Sequence, residues 1–221
     1  MQIPFSKEEF LNIFKSYNLS VWPLQIFFIL CTLVLIYLAV SKKKNSNIII
    51  NSVLAFYWMW IGIVYHISFF AEINPAAYIF GVFFITQSVL FLIFGVLKKD
   101  LTFSFKKDLA GITGIIFFIY SLVVYPLLSE LLGHSYPQSP TFGLPCPTVI
   151  FTFGMLLWAD EKVNIYILII PFLWSIIGMS AAVNLGIWQD TGLLIAGVLG
   201  SVIIILRNRR LKAQWFYTVT K

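Results

Sequence analysis

A series of apolar runs constrains this chain more than any other feature: they lie near 21–41, 48–70, 76–97, 109–129, 146–159, 163–183 and 190–206, with polar or turn-forming residues between them. A helix of about 20 apolar residues crosses the roughly 30 Å of bilayer hydrocarbon. Within that layer backbone N–H and C=O groups find no water, so only helices and closed barrels satisfy them. The runs are continuously apolar and lack the in/out alternation of barrel strands. The expected fold class is therefore all-α, an integral membrane bundle of seven transmembrane helices. Composition agrees, with 60% hydrophobic and 11% charged residues, against about 45–50% and about 25% in soluble domains.

Three parts are expected: an external interfacial helix in residues 1–20, the transmembrane domain in 21–206, and a basic cytoplasmic tail in 207–221. Residues 1–20 lack the basic and apolar regions of a cleaved leader, so the first run is expected to stay. Within them "SKEEFLNIFKSYN" (6–18) reads as a short amphipathic helix. Ser6 and Glu9 have the spacing of a capping box, and Phe10, Ile13, Phe14 and Tyr17 share one stripe. The fifth run is short. Before it, "HSYPQSPTFGLPCPT" (134–148) holds four of the nine prolines, which bar a continuous helix. That stretch is expected to be a re-entrant or capping segment, with Cys146 held extended between Pro145 and Pro147 and with Pro147 in the first turn of the fifth helix.

Charge orients the bundle. If seven spans alternate, thirteen Lys and Arg residues and four acids fall on one side, net +9, while two Lys residues and five acids fall on the other, net −3. By the positive-inside rule the N-terminus is outside and the C-terminus cytoplasmic. The overall +6 is thus read as topology, and no nucleic-acid partner is expected; the bilayer is the partner the composition calls for. The small residues "GMSAA" (178–182), Gly192, Gly197, Gly200 and Ser201 mark faces for close helix packing.

The chemistry-bearing residues fall mostly toward the outer side: Tyr65 and His66 at the end of the second span, Asn74 in the next loop, His134 and Cys146 around the Pro-rich stretch, and Asp190 before the last span. No charged residue lies in the middle of a span, where pumps place their ionisable groups. The two histidines are too few for an intramembrane zinc hydrolase. A metal ion held by His134, Cys146 and His66 is chemically conceivable, yet no ligand spacing supports one, and no cofactor is expected. Cys31 and Cys146 are expected as free thiols, since one lies in mid-span and the other at an edge. Trp58 and Trp60, in "YWMWIGIVYHISFF" (57–70), offer an apolar wall for a ligand.

Three segments, "IPFSKEEFLNIFKSYNLSVWPLQ" (3–25), "GIVYHISFFAEINPAAYIFG" (62–81) and "YPLLSELLGHSYPQSPTFGLPCPTVIFTFGMLL" (125–157), carry a resemblance. The chain resembles a bacterial family of seven-pass membrane proteins classed as a domain of unknown function, with the motif GHxYPxxPTFGxPCPTxIFT. The resemblance implies the fold, the topology and a bacterial cytoplasmic (inner) membrane, and it implies no reaction. It also draws attention to Tyr17, Asn18, Trp22, Pro23, His66, Asn74, His134, Cys146 and Asp190, which topology gathers toward the outer face.

The function expected is binding or transport of a small solute or ion through an outer-face pocket. His66, His134 and Asp190 would contact the ligand, Cys146 would line the mouth, Trp58 and Trp60 would form the wall, and Tyr65 and Asn74 would sit beside them. No catalytic residue is assigned. The alternatives are a sensor or accessory subunit whose basic tail meets a partner or anionic lipid, and a membrane enzyme using Cys146 with a histidine.

Overall fold

The computed structural model describes residues 4–219, with side chains to residue 213. Of the tail read from sequence, residues 220 and 221 and the side chains from 214 onward lie outside what is described. The described residues form α1 (Lys7–Ser20), α2 (Leu24–Ser41), α3 (Ser46–Glu72), α4 (Ala77–Leu97), α5 (Leu109–Leu131), α6 (Pro145–Leu157), α7 (Ile165–Leu185) and α8 (Thr191–Val219). Among them are two isolated bridges, Phe103 with Ala159 and Phe142 with Leu144, and no strand. Helix α8 runs past Arg207 without a break.

Six segments are long and apolar enough to cross a membrane: α2, α3, α4, α5, α7 and Trp188–Ala213, which covers the turn before α8 and most of that helix. The fifth run folds as α6, and its 13 residues rise only about 20 Å. Every α6 residue except Cys146 is buried. A helix wrapped on all sides by protein has no lipid contact to match, so its length is set by its neighbours. Irregular backbone at either end is tolerated where protein covers it.

The two ends of α6 deal with their free backbone groups in different ways. At its start Pro145 and Pro147 occupy the first turn, where a missing N–H costs nothing. Cys146 is therefore helical, contrary to the extended backbone expected from its flanking prolines. The fixed φ of proline already suits a helix, and at a helix start this outweighs the pre-proline bias. Gly143, at φ 99, makes the preceding turn, a left-handed conformation that glycine adopts freely. At the other end Arg207 of α8 donates to the carbonyls of Leu157 (2.9 Å) and Leu156 (3.3 Å), satisfying groups the helix leaves free.

These contacts sort the loops by end. Near the end of α6, Ser104 N–H donates to Trp158 O and Asp160 N–H to Thr102 O, each at 2.8 Å. Asn51 donates to Leu101 O at 2.9 Å, and Asn208 to Val163 O at 2.8 Å. Lys106 pairs with Asp160 at 3.1 Å. The lysine-bearing loops after α2, α4 and α6 and the arginines of α8 thus share one end of the bundle. Helix α1 and the Pro-rich stretch share the opposite one.

Pro171 interrupts the hydrogen bonding of α7, because proline has no N–H to offer the carbonyl four residues back. That carbonyl belongs to Ile167, and the Gln87 side chain of α4 donates to it at 3.1 Å. Gln87→Leu should cost about 1 kcal/mol, the usual size of an interhelical hydrogen bond in a membrane protein. Thermal unfolding in detergent would measure it, and an unchanged midpoint would sink the account.

Candidate functional site

Helix α1 begins with the expected capping box: Glu9 N–H donates to Ser6 Oγ at 3.2 Å, and Ser6 N–H to the Glu9 carboxylate at 2.7 Å. Those bonds hold the exposed Glu9 carboxyl below its ordinary value. The stripe on α1 buries Ile13, Phe14 and Tyr17 against the end of α3, with Phe14 stacked on Tyr65 at 6.1 Å. Tyr17 accepts from Trp60 Nε1 at 2.9 Å and donates to Gly143 O at 3.1 Å. Burial pushes its hydroxyl well up. Asn18, wholly buried, donates to Pro137 O (2.7 Å) and Ser139 O (2.8 Å) and accepts from Thr141 Oγ1 (2.7 Å). The Pro-rich stretch is thereby clasped to α1.

Beneath this cap lies a cavity of about 410 Å3, within the range of about 300–1,000 Å3 common for small-molecule sites. Phe5, Phe10 and Phe14 cover its end, Tyr65, Phe70, Phe80 and Trp174 form aromatic walls, and Asn74, Cys146, Asn184 and Asp190 bring polar groups. Asp190 is the centre of its chemistry. Tyr125 Oη donates to Oδ1 at 2.5 Å and Cys146 Sγ to Oδ2 at 3.4 Å. The residue stands just before α8, where a helix dipole favours an anion. Among the described residues the only ion pair is Lys106 with Asp160, so Asp190 has no cation beside it. Trp174 N–H, also buried, has no hydrogen-bond partner.

Of the residues singled out from sequence, Tyr65, Asn74, Cys146 and Asp190 line the cavity together, and Asn74 Oδ1 accepts from Ala76 N–H at 3.1 Å. The others sit elsewhere. His66 is buried beside it among Tyr65, Phe70, Phe80, Phe84 and Trp174, with neither ring nitrogen partnered. Trp58 is in the core, donating to Thr152 at 3.1 Å and lying 4.5 Å from Phe84. Trp60 serves the α1 clasp. Trp174 and Tyr125 were missed by sequence reasoning. A tryptophan in mid-span is the one signal that could have found Trp174, because a buried indole N–H seeks a partner. Tyr125 has no such signal. Both cysteines are free, and the thiol of Cys146 meets Asp190 rather than a histidine. Among the described residues no three His, Cys, Asp or Glu side chains converge as metal ligands.

His134 lies between α5 and α6, its N–H bonded to Ser129 O at 2.8 Å. Burial, and then the nearby Lys7, hold its imidazole below the ordinary value of 6.5. A depressed histidine resists protonation when folded, so stability is intact above pH 6.5 and declines as pH falls below it. Wild-type protein should lose more thermal stability between pH 7 and pH 5 than His134→Gln. Equal losses would remove His134 as the cause.

Fold and site together define a class: an all-helical, membrane-embedded protein with an aromatic, acid-anchored cavity at one end of its bundle. A family model described as "Family of unknown function (DUF6064)" matches residues 7–214, and the chain belongs to that family. This agrees with the domain-of-unknown-function resemblance drawn from the sequence. No curated protein and no solved structure matches the chain.

Proposed function

We propose that this protein binds a small organic solute in the cavity beneath α1, with Asp190 as its anchor. The single observation that carries the reading is a buried carboxylate, with no cation paired to it among the described residues, in the lining of an apolar, ligand-sized chamber. Burying a charge is costly unless something pairs with it, and a solute with a donor or positive group supplies that pairing. Aromatic walls would hold its apolar body, while Trp174 N–H offers a donor to a polar atom.

In this reading the chain crosses a bacterial cytoplasmic membrane seven times, with α1 outside. Support comes from α6, whose first residues meet the α1 end and whose last meet the basic end. Alternation through seven crossings also leaves the lysine and arginine clusters inside, as the positive-inside rule requires. The site therefore lies in the outer half of the membrane. Passage inward would require the ring layer of His66, Phe80, Phe84 and Trp174 to part, so uptake into proteoliposomes separates a carrier from a receptor. The enzyme alternative draws no support from Cys146, whose thiol donates to Asp190 and has no hydrogen bond to an imidazole or cation among the described residues, as a nucleophilic thiolate needs.

The test is a thermal-shift screen of water-soluble organic solutes on the full chain, since a ligand of the folded state raises the midpoint by mass action. Asp190→Asn should weaken any hit about tenfold by removing a charge-assisted bond. Ala181→Trp, which fills the chamber, should abolish it. A hit that both variants bind as wild type does would place the ligand elsewhere and refute this site.

A further inference from the structure

Building on that binding reading, we propose that the occupant is a single-chain amphiphile with an ammonium head, which reaches Asp190 sideways from the bilayer between α4 and α7. The shape of the opening points to this route. The end of the cavity facing water is covered by rings: Phe5 and Phe10 of the α1 region each pack on Phe70, at 5.5 and 5.6 Å. Its side is less covered. The lining residues Ile176 and Ser180 of α7 are exposed, and Phe80 of α4 and Ile177 of α7 are half-buried. Ile176 is 46% exposed and lies nine residues before the end of α7 at Leu185, a descent of about 13 Å. That depth is in the hydrocarbon layer.

Helices α4 and α7 meet lower down, through Phe84 and Trp174 at 5.0 Å and the Gln87 bond to Ile167. Phe80, one turn above Phe84, packs on the same indole at 5.4 Å, so these rings form the foot of the slot, and its side is where the lining residues Ile176 and Ser180 are exposed. A hydrocarbon chain can leave such a slot into lipid without meeting water, which a water-borne solute gains nothing from.

The head group follows from charge. Asp190 has two neutral donors, the start of α8 behind it, and no cation among the described residues. An ammonium neutralises the carboxylate directly and can rest against the faces of Tyr65 and Trp174. Tyr65 lines the same chamber. A neutral alcohol head would leave the buried charge uncompensated, and an anionic head would repel it.

The experiment measures saturable binding of labelled dodecylamine, dodecanol and butylamine to the full chain in phosphatidylcholine nanodiscs, above protein-free discs. Dodecylamine should bind at one site, at least about tenfold more tightly than dodecanol, because a charge-assisted bond is about twice as strong as a neutral one. Butylamine should bind at least about tenfold more weakly, for want of buried chain. Ser180→Trp, which narrows the slot, should slow dodecylamine association. Asp190→Asn should erase the preference for amine over alcohol, and the wild-type amine and alcohol pair decides the point even if that variant does not fold. Equal binding of dodecanol and dodecylamine overturns the ammonium head. Butylamine binding as well as dodecylamine, or an unaltered association rate in Ser180→Trp, overturns the lateral route. No saturable binding of any probe overturns the amphiphile proposal as a whole. None of these results refutes a water-soluble ligand, which the thermal-shift screen tests separately.

Discussion

Asn18→Ala should lower the stability of the folded protein by about 3–5 kcal/mol, since it strips partners from one buried and two part-buried groups, and a group left unmet out of water costs about 1–3 kcal/mol. Pro137 O and Ser139 O would lose their donor and the Thr141 hydroxyl its acceptor. In a chain of this length the midpoint should drop by about 10 °C or more. Asn18→Asp is the sharper variant. It keeps the size and the acceptor for Thr141 but turns an oxygen toward two carbonyls, so it should fare no better than alanine. Limited proteolysis should find new cuts within 134–144 in both. If the aspartate variant matched wild type in midpoint and cleavage, the clasp would not be what holds the Pro-rich stretch in place.

The second large effect is expected where α3 crosses α4. A Cβ on Gly62 would stand 2.9 Å from Gly81 O, and one on Gly81 would stand 3.0 Å from Gly62 O. The two backbones touch, which only small residues permit and which lipid-embedded helices use for packing. Because the atom nearest a Cβ on Gly62 is a backbone oxygen, it cannot turn aside as a side chain would. Gly62→Leu should therefore cost about 3 kcal/mol or prevent recovery of folded protein, the upper part of the usual overpacking range, while Gly62→Ala should cost about 1 kcal/mol. Val82→Leu, on the lipid-facing side of α4 at 58% exposure, is the control and should be silent. Size-exclusion profiles and thermal midpoints in detergent would read all three. A Gly62→Leu protein as stable as the control would show that the crossing tolerates separation.

Much of the fold was legible because its cause is local. Apolar runs of sufficient length must become helices in lipid, and Ser6 with Glu9 announces a helix start through bonds only three residues apart. The charge pattern likewise sorted the loops correctly into two groups, since the contacts gather the basic loops at one end. Cys146 was misread for the same local reason: the bias of a residue before proline was taken to hold it extended, with Pro147 in the first turn, whereas the helix already starts at Pro145.

The site was legible only in outline. Tyr65, Asn74, Cys146 and Asp190 could be drawn from sequence to one membrane face, because topology fixes depth. Depth does not fix direction. His66 is adjacent to Tyr65 in sequence yet turns into the ring layer, in the widened turns of Ile61–Phe69, and Trp60 is taken by Tyr17. Tyr125 meets Asp190 across 65 positions of chain, a pairing no periodicity encodes.

By itself, then, the sequence determined that this chain is helical, suited to lipid, and divided into a basic and an acidic end, since hydrophobic length and charge act residue by residue. Only the tertiary structure decided that a 13-residue helix runs through the middle, that the prolines form a cap held by Asn18, and that Asp190, Cys146 and Trp174 share one chamber. Those outcomes depend on which helix faces meet, and that is settled by close packing and hydrogen bonds between residues far apart in the chain.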